Sequence, residues 1–211
     1  MVSTLPTGCA WDNQEFDGIP MGINQLANIS AAAITGQITA VSEPRWNSRD
    51  GSKWCPPLDG TVRPIVYRDV TVKVSDVTFT SEKLTPRPGD ELVIRTFGDG
   101  TPTGPEAVTF DKDHVLHENN VDGEYEVGKE AFLFVSVWDR FPTENGTEVI
   151  NQVTGSWGGN FEIDRSKDLA KSVEPGRTVP YRALIARAQK ERELGRKPER
   201  DPASRKNPLG E

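Results

Sequence analysis

Residues 67–80 read YRDVTVKVSDVTFT. Val70, Val72 and Val74 fall on one face of an extended chain, and Thr71, Lys73 and Ser75 fall on the other. A period of two carried by β-branched residues predicts a half-buried strand, because successive side chains leave a pleated backbone on opposite sides. The strongest signal in the sequence is therefore a β signal.

The neighbouring segments repeat that logic. Upstream, AAAITGQITAVSEP (31–44) predicts a strand over 32–42, with Gly36 marking a bulge or a tight bend. Ile19, Ile23, Leu26 and Ile29 lie near helical spacing and predict a short helix before it. Downstream, TPRPGD (85–90) is a turn that feeds a strand at 91–97. After a polar excursion over 98–124, Gly128 precedes an apolar strand at 130–138, whose continuous run suits burial on both faces. Two short strands, 147–153 and 159–164, follow around a Gly-rich turn. Tyr181, Leu184, Ile185 and Ala188 then predict a helix over 179–195 with Pro180 in its first turn, and 196–211 reads as a polar tail.

Five or six strands separated by turns, with few helices between them, call for antiparallel pairing. The expected fold is mainly β: a five- to six-stranded antiparallel OB-like barrel with a short N-terminal helix and a C-terminal helix plus extended tail. The expected organisation is an irregular arm at 1–25, the barrel at 26–175, and the helix and tail at 176–211. An immunoglobulin-like sandwich is the competitor, but it asks for about seven evenly spaced strands.

The succession ITGQITAV, YRDVTVKVSDVTF, PGDELVIRTFGDG, YEVGKEAFLFVSVW and VTGSWGGNFEID resembles a group of bacterial, often exported proteins. In outline it is similar to netrin-like and metalloproteinase-inhibitor OB barrels. The likeness spans roughly 26–164 and rests on turns and core strands, so it implies a fold and transfers no catalytic residue. The sequence lacks the several cysteines, and the cysteine at the extreme N-terminus, that those inhibitors use.

A length of 211 residues fits one domain with extensions. No run of about 18 apolar residues is present, so no membrane span is expected. The first residues carry neither a basic region nor an apolar core, so no signal peptide is expected as written. The location then reads as extracellular or cell envelope if an export signal was removed, and otherwise as cytoplasmic or within an assembly. The net charge is −7, of which residues 181–211 contribute +4, so the preceding 180 carry −11. An acidic body suits the phosphate backbone poorly, which argues against a nucleic-acid partner.

Chemistry-bearing motifs are few. In DKDHVLHEN (111–119), His114 and His117 with Asp113 form a candidate metal site, set against a plain solvated loop. Cys9 and Cys55 are the only cysteines, and read either as one disulfide or as unrelated thiols. The loop RWNSRDGSKWCPP (45–57), with Trp11 nearby in character, offers Trp11, Trp46 and Trp54 as loop anchors or as a recognition surface. Ser156 in TGSWGG lacks the glycine spacing and strand-to-helix context of a nucleophile elbow. Asn145-Gly146-Thr147 is a glycosylation sequon and also a good turn. No phosphate-cradling glycine motif occurs, and no cofactor is implied.

The leading expectation is a non-enzymatic interaction or structural module. It would meet a protein partner, or a second copy, through its loops and C-terminal arm at the cell envelope or inside an assembly. A metal-binding protein or metal-dependent hydrolase using His114 and His117, and a small-ligand or carbohydrate binder using the loop tryptophans, stay open beside it.

Overall fold

The computed structural model describes residues 21–52, 65–97, 125–172 and 177–195. Their order is α1 (Ile23–Ile29), β1 (Ala32–Val41), β2 (Arg45–Trp46), β3 (Val66–Phe79), β4 (Glu91–Phe97), β5 (Glu130–Thr143), β6 (Gly146–Val153), β7 (Asn160–Asp164), β8 (Leu169–Ser172), β9 (Thr178–Pro180) and α2 (Tyr181–Leu194). A 3-10 turn, Ser156–Gly159, sits between β6 and β7. The described residues are mainly β with two α-helices.

The strands hydrogen-bond in the order β1-β3-β4-β6-β5-β7-β8-β9, and β1 also pairs with β5. That extra pairing closes β1, β3, β4, β6 and β5 into a ring. Gly36 makes it possible. It pairs with Val74 on one side and Ala131 on the other, and the β1–β3 register shifts between Thr35 and Gly36.

Two expectations are corrected. Nine strands are described rather than five or six, because β2, β8 and β9 are two, four and three residues long, too short to show a period. The pairing is also not wholly antiparallel: β4 and β6 run parallel, through the one pair Arg95↔Gln152. Parity requires this, since a closed ring with an odd number of strands must contain at least one parallel pair. β5 also runs past its expected end, through a register shift between Trp138 and Phe141, to Thr143.

The ring encloses one core and carries another outside. Ile34, Val70, Val72, Val74, Ile94 and Leu133 fill the interior. On the outer face of β1 and β5, Phe132, Phe134 and Phe161 pack with Leu26 of α1 and Leu184 of α2. Strands β1 and β5 are thus buried on both sides, which is why Phe132–Val135 reads as an unbroken apolar run. Helix α2 is fixed by polar contacts as well. The Tyr181 and Thr35 hydroxyls lie 2.9 Å apart, and Arg192 donates to the Ala27 carbonyl. At its N-terminus, the Arg182 N–H donates to the Asp168 carboxylate, which does the capping that Pro180 cannot.

No helix among the described residues is long and apolar enough to cross a membrane.

Candidate interaction site

The β4–β6 junction differs from every other junction of the ring. β4 pairs with β3 from Glu91 to Phe97, and β6 pairs with β5 from Gly146 to Val153, yet the two meet in a single pair. Below Arg95 and Gln152 the seam opens. The Val74 N–H donates to Asp90 O, so even-numbered residues of β4 face β3 and odd-numbered ones face the seam. In the same way, the Thr154 N–H donates to Phe134 O, which turns Val149 and Asn151 of β6 toward β4.

Across the opening, the Asn151 side-chain amide donates to Val93 O at 3.1 Å in place of a backbone partner. Val93 and Val149, on the two bordering strands, are 49% and 70% exposed. Large β-branched side chains at that exposure, beside strand edges without a ladder partner, are what a sheet presents where another strand can be added.

Arg95 latches the upper end of the seam. Its guanidinium donates to both oxygens of Asp69, at 2.9 and 3.2 Å, and to Glu148 of β6 at 2.9 Å. The same group lies 3.9 Å above the centre of the Tyr67 ring and 4.9 Å from that of Phe141. Burial works against the charge, but the bonds to Asp69 and then Glu148 outweigh it and hold the guanidinium above its ordinary pKa. Tyr67, Phe141 and Ile150 form a small outer cluster, with Phe97 and Trp138 packed against it. Phe97 and Trp138 meet edge-on at 6.0 Å.

The loop after β1 is tied to the same side of the ring by Asn47, which is buried. Its side-chain amide donates to Pro142 O at 3.0 Å, and its oxygen accepts from Ile65 N–H at 2.8 Å. The Glu144 N–H, at the tip of the β5–β6 hairpin, donates to Asn47 O, and the Glu144 carboxylate accepts from Arg49 N–H at 2.6 Å. Beyond Asn47 the loop folds on itself: Asp50 accepts from Ser48 and Ser52, and the Ser52 hydroxyl and amide hold its carboxyl below the usual range.

Of the residues singled out in the sequence, Trp46 lies in β2 and is half-buried. Trp11, Trp54, Cys9, Cys55, Asp113, His114 and His117 lie outside the described residues. Among the described residues no group of three or more His, Cys, Asp or Glu side chains is placed to hold a metal. Ser156 falls in the 3-10 turn.

Sequence reasoning missed Arg95 and Asn47. Arg95 was visible as part of an outward series, Glu91, Val93, Arg95 and Phe97, in which a charge stands between two apolar residues. Asn47 gave no signal beyond its place next to Trp46.

Compared with protein-family models and with curated proteins, the sequence matches none.

Proposed function

We propose that this protein is a non-enzymatic protein-contact module built on an OB-type barrel, and that it serves as a subunit of a larger assembly. The barrel reading is supported by the five-strand ring and by its economy of strands. The contact reading is carried by one observation: the seam at which β4 and β6 share one pair, bordered by exposed Val93 and Val149. The occupant read here is an extended polypeptide segment, which would displace the Asn151 amide from Val93 O as it enters between the two strands. Because β4 and β6 run parallel, one inserted strand can lie antiparallel to both, with main-chain bonds to each edge.

A photoreactive amino acid placed at position 93 or 149 tests this in the cells that make the protein. Adducts with a polypeptide are expected at both positions, and not from the same probe at Leu169, an exposed residue of β8. Equal adduct yields at all three positions, or none at 93 and 149, would contradict it.

A further inference from the structure

We propose that Asn145 is a site of spontaneous deamidation, and that its conversion to isoaspartate releases the clamp between the β5–β6 hairpin and the loop after β1. Asn145-Gly146 is the sole Asn-Gly pair in the sequence. It sits at the hairpin tip, where Thr143↔Gly146 is the terminal rung of the ladder. Both residues are exposed. Among the described residues nothing hydrogen-bonds to the Asn145 side chain. Apart from its two chain neighbours, no atom lies within 4 Å of where a Cβ of Gly146 would stand, so no other part of the protein crowds the turn at Gly146.

The chemistry needs only water. The Gly146 backbone nitrogen gives its proton to solvent base and bonds to Cγ of Asn145. The bond from Cγ to Nδ2 breaks, ammonia leaves, and a five-membered succinimide remains. Water then opens the ring at either carbonyl, giving aspartate or isoaspartate. The balance is one water consumed, one ammonia released and one negative charge gained. The isoaspartyl product carries an extra methylene in the backbone, at the residue next to Glu144. Glu144 holds the loop through its N–H to Asn47 O and its carboxylate to Arg49 N–H.

A second asparagine of the same protein serves as an internal control. Asn47 precedes Ser48, another small residue, but is 1% exposed, and its amide is bonded through both nitrogen and oxygen. The geometry that exposes Asn145 shields Asn47.

The test is peptide mapping of the full-length native protein after incubation at mildly alkaline pH, beside an Asn145→Gln variant and an unfolded sample. The peptide containing residue 145 is expected to gain about one mass unit and split into aspartyl and isoaspartyl forms. It should do so at least about tenfold faster than the Asn47 peptide, because a terminal rung opens more readily than a buried one. The N145Q variant should stay unmodified at that peptide. Amide exchange at Asn47 and Ile65 should accelerate in the isoaspartyl fraction. An unmodified native protein whose unfolded form does react would overturn the proposal, as would conversion of Asn47 at a similar rate. Isoaspartate formation with unchanged exchange at Asn47 and Ile65 would overturn the release of the clamp.

Discussion

Replacing Gly36 by valine is expected to lower the unfolding free energy by about 4 kcal/mol, and replacement by alanine by about 2 kcal/mol. Gly36 lies where β1 bonds to β3 and β5 at once. A Cβ there would stand 2.5 Å from the Lys73 carbonyl oxygen and 2.6 Å from Val72 Cγ1. The nearer neighbour is backbone, so no rotamer change relieves the overlap. β1 cannot retreat either, because β5 holds its other edge. Relief therefore requires β3 to shift, which disturbs the packing of Val70, Val72 and Val74 in the ring interior. Denaturant unfolding of the two variants reads the effect directly. Stability within about 0.5 kcal/mol of the parent for both would mean that β1 does not close the ring at this residue.

Asn47→Ala is expected to be the second most damaging change, costing about 3 kcal/mol in the stability of the loop and hairpin tip. It strands the Ile65 N–H and removes the donor to Pro142 O, and an unmade buried hydrogen bond costs about 1–3 kcal/mol. Asn47→Asp should fare little better. It keeps an acceptor for Ile65 but turns a carboxylate oxygen toward the Pro142 carbonyl, where a donor is required. Residue-resolved hydrogen exchange at Ile65 and Glu144 is the measurement. Both amides should lose protection in either variant while β3 and β5 keep theirs.

The strands were legible where burial is one-sided and long. In β3 the valines face the ring interior and the intervening polar residues face outward, so the period of two survives intact. In β5, burial on both faces erases the period, but the length of the apolar run and Gly128 before it still mark a strand. Gly36 was legible as a break, because glycine in an otherwise β-branched run has few other reasons to be there.

The rest was not written locally. The parallel β4–β6 pair follows from the parity of the ring, which no window of sequence contains. Tyr67 and Phe97 occupy positions that alternation assigns to solvent, and they are covered because the long β5–β6 hairpin folds over them. The candidate site was likewise hidden. It is made of what β4 and β6 lack between them, and a missing ladder leaves no mark in either strand. Tryptophans stand out in RWNSRDGSKWCPP as the natural anchors, whereas the described part of that loop is pinned by Asn47.

Hydrogen exchange on the full-length protein in isolation, resolved to single amides along β4 and β6, tests the open seam most directly. The even-numbered amides Leu92 and Ile94, bonded toward β3, should be strongly protected, while Val93 and Val149 should exchange close to the rate of an open chain. Protection of Val93 and Val149 equal to that of Leu92 and Ile94 would mean that β4 and β6 are zipped along their length. It would leave no free strand edge at this seam for a partner to use.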